Sequence, residues 1–354
     1  MACNVSKRFV STNLEGKRIL ITGCNGHLGS KLVKYWHNQH ELTLLDINCN
    51  SKTINKYISN SIYNHKYIGV DLSDKNVINN SDIKILFNNI DYIIHFAGCN
   101  PVPDQSWFDC IKSVDINNNL YMLLSDMNTT TKKRVIFASS NHALGGYLQQ
   151  GCNVSKCLKN GMNLNDHYNE IIFNENTILN PGTKFELSSG FKLDSTTYAV
   201  GKLHGERGLI SLSEKYKYIE PCILRIGWCQ PGINHPNTLD PTGNSHDEYH
   251  AMHSEDENEL KEKGFDSMTD LQIWFQNMWL SNLDFYNLMD ACITFKYNRD
   301  KDVYILNGVS NNSDSRFNIV NDIGYKPLHN VHEFNQNMID YQDNFERQYN
   351  IIFD

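Results

Sequence analysis

The sequence predicts an α/β fold, a doubly wound parallel sheet covered by helices on both faces, and three observations predict it. Lys17 to Leu32 reads as a short buried strand that runs straight into a glycine-punctuated turn and then into a helical pattern. Further short apolar runs follow, each after a helical or loop segment, and such alternation winds a parallel sheet because crossovers are right-handed. At 354 residues the chain exceeds the usual single-domain size, so one large domain with a smaller one appended is expected.

The first strand is Arg18 to Thr22, apolar and β-branched. Behind it, Gly23, Gly26 and Gly29 stand at GxxGxxG spacing. In that arrangement the first glycine permits the tight turn, the second lets the backbone approach a pyrophosphate, and the third lets the new helix pack close. Asn25, His27 and Leu28 complete the turn, and the helix N-terminus offers free N–H groups to phosphates. A second strand, Leu42 to Leu45, leads into Asp46, an acid about 20 residues on, where a ribose hydroxyl needs an acceptor.

Three more strands read as Tyr67 to Val70, Tyr92 to Phe96 and Arg134 to Ala138, with a helix over about 106–127 before the last of them. Their ends would line the ligand crevice of such a sheet. Asp71 and Leu72 close the third strand in a position suited to an adenine edge. Phe96, Ala97 and Gly98 close the fourth, the small residues letting the backbone lie against a cofactor. Ser139, Ser140, Asn141 and His142 close the fifth. A helix over Ser195 to Lys215 precedes the strand Cys222 to Ile226. Leu271 to Phe295 reads as helix, Val303 to Asn307 as strand, and Val331 to Phe345 as a closing helix. Two stretches break the rhythm: the polar insertion at about 149–193 and the acidic segment Gly232 to Asp266. Long loops of this kind act as lids or stay disordered.

Composition narrows the function. A net charge of −8 without a basic patch argues against nucleic acid, so a small molecule is the expected partner. Ten cysteines lie scattered without a CxxC pair, and the N-terminus lacks the apolar core of a signal peptide. Both point to a reduced, cytoplasmic protein, in which the Asn-x-Ser/Thr triplets at Asn4, Asn128 and Asn153 are chance. No apolar run reaches membrane-spanning length. His246, His250 and His253, with Asp247 and Glu255 nearby, have spacing that could hold a metal. In so acidic and hydrophilic an insertion they read as solvated side chains, and no metal is expected. Trp274 and Trp279 read as core.

The deciding feature is Tyr198-Ala-Val-Gly-Lys202. Residues four apart share a helix face, so the phenol and the ammonium can converge. A neighbouring cation lowers a phenol's pKa, which makes Tyr198 a candidate general base for an alcohol or sugar hydroxyl. Taken in order, Gly23/Gly26/Gly29, Asp46, Asp71-Leu72, Ala97-Gly98, Ser140 and Tyr198/Lys202 closely resemble the extended short-chain dehydrogenase/reductase family, the NAD-dependent epimerases and dehydratases. The resemblance covers nearly the whole chain. It implies a Rossmann-type NAD-binding domain over 1–230, a smaller substrate domain over 231–354, and a homodimer formed through the long helices. It also implies roles: Ser140 bonds the reacting oxygen, Tyr198 takes its proton, and Lys202 binds the nicotinamide ribose and holds the tyrosine's pKa down. Asp46, with no Arg or Lys beside it, favours NAD over NADP.

Within the family, dehydratases carry an Asp-Glu pair where Asn141 and His142 stand here. The run Ser139 to His142, followed by Leu144-Gly145-Gly146-Tyr147, is instead similar to uronate dehydrogenases, as are Trp279-Leu280-Ser281, Gly308 to Asn312 and Ile323 to Pro327. Those enzymes oxidise the anomeric carbon of a free sugar acid to a lactone, and the likeness implies that Asn141 and His142 bind the sugar. One departure stands out: no arginine occurs between Arg225 and Arg299, where those enzymes clamp the carboxylate. The alternatives are a nucleotide-sugar epimerase with tightly bound NAD, for which Arg299 and Arg316 are candidate diphosphate ligands, and a non-catalytic NAD-binding protein.

Overall fold

The computed structural model describes residues 16–99, 106–147, 172–186, 192–236, 274–298, 300–313, 315–349 and 351. Seven parallel strands form one sheet in the order β3-β2-β1-β4-β5-β8-β9. They are β1 (Arg18–Thr22), β2 (Glu41–Asp46), β3 (Lys66–Gly69), β4 (Tyr92–His95), β5 (Lys133–Ser140), β8 (Ile219–Ile226) and β9 (Tyr304–Gly308). Between β5 and β8 a small antiparallel hairpin pairs β6 (Lys184–Glu186) with β7 (Lys192–Asp194). The strand order runs outward from β1 to β3 and then restarts on the other side at β4. This topological switch opens a crevice at the strands' C-terminal ends. The fold is a Rossmann-type α/β fold. β9, drawn from beyond residue 230, is the seventh strand of this same sheet.

Alternation along each strand divides the core in two. Ile19, Ile21, Leu42, Leu44, Ile94 and Ile136 face a layer built on α1 (His27–Trp36), α6 (Asn282–Thr294) and α7 (Gln336–Gln348). Leu20, Leu45, Ile93, Val135, Phe137 and Ile223 face the opposite layer, carried by α3 (Ser81–Asn88), α4 (Trp107–Ser125) and α5 (Thr196–Lys215). The short helix α2 (Lys52–Ser59) starts on Ser51, whose side chain accepts the Ile54 N–H, and contributes Ile54 to the first layer.

Two expected helices are placed differently. The stretch expected to be one helix over Leu271 to Phe295 is interrupted: its residues 274–276 are helical, and α6 begins only at Asn282. The cause is a backbone exchange with the end of β8, in which Trp228 N–H donates to the Met278 carbonyl and Leu280 N–H to the Trp228 carbonyl, each at 2.8 Å. Those groups are unavailable to a helix ladder, and the Ser281 side chain then caps α6 by accepting the Asp284 N–H. The closing helix starts at Gln336 rather than Val331, because Asn335 accepts the N–H groups of Asn337 and Met338. Residues 149–171 and 187–191 of the insertion, most of the segment Gly232 to Asp266, and His246, His250 and His253 lie outside the described residues. Trp274 and Trp279 are buried, in an aromatic cluster with Trp228, Phe275 and Phe317. Among the described residues, no helix is long and apolar enough to cross a membrane.

Candidate active site

At the switch point between β1 and β4 the C-terminal strand ends enclose a cleft of about 830 Å³. The glycine turn forms one end. Gly23 has φ +69°, and a Cβ there would meet the Ala97 backbone N at 2.7 Å; a Cβ on Gly29 would meet the Gly23 carbonyl oxygen at 2.2 Å. No side chain fits either position, and the backbone left bare at the start of α1 can be approached closely by a phosphate. Asp46, at the end of β2, is held by two backbone donors, Asn25 N–H at 2.9 Å and Asn48 N–H at 3.2 Å. Its carboxylate therefore sits beside the turn, ready to accept from hydroxyls. Asp71 and Leu72 line the same wall beyond β3; burial works against ionisation of Asp71, but hydrogen bonds from Ser73 outweigh it and hold the carboxyl below its usual value. On the fourth strand's side, Thr22 Oγ1 accepts the Ala97 N–H at 3.3 Å and pairs with His95 Nδ1 at 2.7 Å, which fixes Phe96, Ala97 and Gly98 against the cleft. This donor set, with a side-chain-free phosphate cradle and an acid for a ribose, fits a dinucleotide such as NAD.

The other end is built by β5 and α5. Ser140 ends β5 and caps the short helical turn Asn141–Leu144 by accepting the His142 N–H at 3.2 Å. Its neighbour Ser139 donates to Glu206, which also takes the Arg225 guanidinium at 3.1 Å through both oxygens. That buried pair ties α5 to the ends of β5 and β8. Tyr198 and Lys202, one turn apart on α5, both reach the cleft that Ser140 lines, and the Ser140 hydroxyl donates to Asn141 Oδ1 at 3.1 Å. All seventeen residues expected at the site, Gly23, Asn25, Gly26, His27, Leu28, Gly29, Asp46, Asp71, Leu72, Phe96, Ala97, Gly98, Ser140, Asn141, His142, Tyr198 and Lys202, line this one cleft.

One expectation does not hold. Burial pushes the Tyr198 phenol up to about 12, opposed only by the Ser140 hydroxyl. Lys202 does not hold it down: its ammonium donates to the Ala138 carbonyl at 2.8 Å and lies 5.7 Å from the phenol ring centre. Burial also lowers Lys202 itself to about 8, which weakens the charge it could lend.

Sequence reasoning missed several lining residues: Cys99, Asp109, Lys112, Ser195, and the run Gly227, Trp228, Cys229, Gln230 after β8. The rule that residues just past a parallel strand face the crevice would have found that run, had it been applied to the sixth strand as it was to the fifth. Arg316, a candidate diphosphate ligand, stands over the Phe173 ring at 4.4 Å in the aromatic cluster and is absent from the cleft wall. Arg299 lies outside the described residues.

Residues 19–171, rather less than half of the chain, match the family model of the NAD dependent epimerase/dehydratase family. The cofactor of that family is the NAD expected from Asp46 and the glycine turn. A curated relative, the NAD-dependent glucose-6-phosphate dehydrogenase of Haloferax volcanii, is 24% identical over 36% of this chain and 45% of its own length. A second, the probable polyketide synthase 28 of Dictyostelium discoideum, is 30% identical over 40% of this chain and 6% of its own length. The chain thus spans less than half the length of either. Among solved structures, MoeE5 in complex with UDP-glucose and NAD is similar at a TM-score of 0.48 and 15% identity, over 83% of this chain and 76% of that one.

Proposed function

We propose that this protein is an NAD-dependent oxidoreductase that transfers hydride from a carbon of a free sugar or sugar acid to NAD, in the manner of uronate dehydrogenases. The observation that supports this reading is the meeting of Ser140, Tyr198 and Lys202 in the same cleft as the glycine turn and Asp46. Bound NAD supplies the hydride acceptor. Asp46 accepts from the adenosine ribose, and Lys202 holds the nicotinamide ribose. The Ser140 hydroxyl holds the oxygen of the reacting alcohol, and Tyr198 takes its proton. Asn141 and His142 bond the remaining oxygens of the sugar. A cytoplasmic setting belongs to the same proposal, whereas the separate substrate unit expected over 231–354 does not, because β9, α6 and α7 are built into the NAD-binding sheet and its core.

A panel of free aldoses and uronic acids, assayed for NADH formation beside nucleotide-sugar controls, tests it. Net NADH from at least one free sugar is expected. Retention of NAD through purification with turnover of nucleotide sugars alone would make the protein an epimerase instead. The position of Arg316 among aromatic rings counts against that alternative, which requires cations around a diphosphate.

We further infer that two copies pair through α4. Trp107, Phe108, Ile111 and Met122 leave apolar side chains exposed on this helix, Phe108 by 74%. Trp107, Phe108 and Ile111 cluster at the start of the helix, and Met122 lies farther along the same face beyond exposed Asp115 and Asn118; an exposed apolar cluster of this kind supports an association surface at the helix start. Light scattering should give twice the mass of the chain, and Trp107→Glu combined with Ile111→Glu should give a monomer. A monomeric parent protein would refute the pairing.

A further inference from the structure

Beside Ser140 and Tyr198 the cleft wall carries a histidine whose tautomer is set by its neighbours. His142 is buried on the turn after β5, with Nδ1 2.7 Å from Ser195 Oγ. Ser195 Oγ already accepts the Thr183 backbone N–H at 2.8 Å. A hydroxyl has a single proton to give, and two acceptors compete for it. The Thr183 carbonyl is 3.5 Å away, at the outer limit of a hydrogen bond, whereas Nδ1 lies at the ideal O–H donor distance. Were Nδ1 itself protonated, Ser195 would receive two N–H groups and its own buried proton would be all but unused, which is costly. Nδ1 therefore accepts, and the ring proton sits on Nε2. Among the described residues Nε2 has no partner, and it is not sealed from the cleft that His142 lines. Burial keeps the ring neutral, with its pKa lowered to about 4.

We propose that Ser195 is a positioning residue: by donating to Nδ1 it locks His142 as a neutral Nε2–H donor, aimed at an uncharged hydroxyl or ring oxygen of the carbohydrate. The proposal rests on the oxidoreductase reading above for the identity of the substrate. The described cleft wall supports an uncharged acceptor. Its lysines are Lys112, whose charge acts on Asp71, and Lys202, which is engaged by Ala138. A carboxylate at His142 would be left without a paired cation.

Ring ¹⁵N NMR of histidine-labelled protein, with the His142 signal identified by its loss in His142→Gln, reads the tautomer without any substrate. A protonated Nε2 and bare Nδ1 are expected, shifting to a mixture in Ser195→Ala and preserved in Ser195→Thr. A protonated Nδ1 in the parent protein overturns the proposal whatever the protein oxidises. If no sugar is turned over, the oxidoreductase reading fails while this measurement still decides the tautomer. With an accepted sugar in hand, Ser195→Ala should lower kcat/KM by about 10- to 100-fold in the parent, the loss expected for a hydrogen bond to a buried partner. It should cost only about twofold in His142→Gln, where the amide donates without help, because mutations acting through one partner are not additive. An equal loss in both backgrounds, with NAD binding unchanged, assigns Ser195 a purely structural role and refutes the proposal.

Discussion

Tyr198 carries the proton transfer in the proposed reaction, yet its surroundings favour the neutral phenol. Burial raises it to about 12, and the one group opposing this is Ser140. Oxidation needs the phenolate, so the reaction should be slow at neutral pH and accelerate as pH rises. The expected profile of kcat/KM climbs from pH 7 toward pH 8, by up to about tenfold per unit, and flattens above that as Lys202, lowered to about 8, loses its charge. Tyr198→Phe should lower turnover by about 10²- to 10⁴-fold, the usual contribution of a positioned acid or base, while NAD binding measured by fluorescence stays near normal. Turnover unaffected by the substitution would support the non-catalytic alternative. Gly23, Asp46, Ser140 and Tyr198 were legible in the sequence because each lies at a strand end or at a spacing fixed by one element. The pKa of Tyr198 was not, because it depends on the depth of α5 in the fold and on the Ala138 carbonyl that claims Lys202. The role of Ser195 was equally hidden, since only tertiary structure brings it to His142.

At the scale of the element, α5 decides whether the site exists, because it carries Tyr198, Lys202 and Glu206 together. It lies close to β5 and α4 through glycines on its inner face. A Cβ on Gly205 would fall 2.2 Å from the Phe137 ring and 3.0 Å from Asn117 Nδ2. Phe137 is buried within β5, so its ring has nowhere to go. The Tyr121 hydroxyl also donates to the Gly205 carbonyl at 2.6 Å, which fixes α5 against α4 from the other side. Gly205→Ala should therefore destabilise the protein by about 1–3 kcal/mol, the cost of overpacking a close-packed core. It should also reduce turnover more than NAD affinity, since it lifts Tyr198 and Lys202 while leaving the glycine turn alone. Thermal melting and a comparison of kcat with NAD Kd would check both. The strands and α5 were readable from local periodicity. The interruption before α6 was not, because its cause is a backbone exchange between Trp228 and Met278 that lie fifty residues apart in sequence.

At the scale of the whole molecule, the C-terminal helix closes the first layer, and it does so around a buried acid. On α7, Phe345 packs against Tyr35 of α1 and Tyr286 of α6, with ring centres 5.7 and 5.9 Å apart. Beside it Glu346 is 3% exposed and accepts from Asn282 Nδ2 at 3.3 Å. Burial pushes its carboxyl up to about 8, with Asp343 adding to the rise and Asn282, Lys31 and Lys34 pulling back. The folded protein thus keeps this proton up to about pH 8, whereas the unfolded chain releases it near the ordinary glutamate value of 4.5. Between those values the unfolded state binds fewer protons, so stability is full below 4.5 and falls as pH rises through 8. Other groups act at lower pH. Asp290, raised to about 6 by burial, has the same sign but is spent by then. His40 and His142, each lowered to about 4, add stability as pH climbs toward 6.5 and nothing beyond it. Between pH 6.5 and 8 the loss comes from Glu346 together with Asp284, a fully buried carboxyl that burial also raises and that has the same sign, while Lys202, lowered to about 8, begins to act with the opposite sign only at the top of the interval. Over it the melting temperature should decline, with a loss of stability from Glu346 of at most about 2 kcal/mol at 1.36 kcal/mol per pKa unit. Glu346→Gln keeps an acceptor for Asn282 and removes the ionisation, so its melting temperature should decline less steeply than the parent's across the interval and exceed that of the parent at pH 8. An unchanged slope in the variant would place the ionisation elsewhere in the molecule.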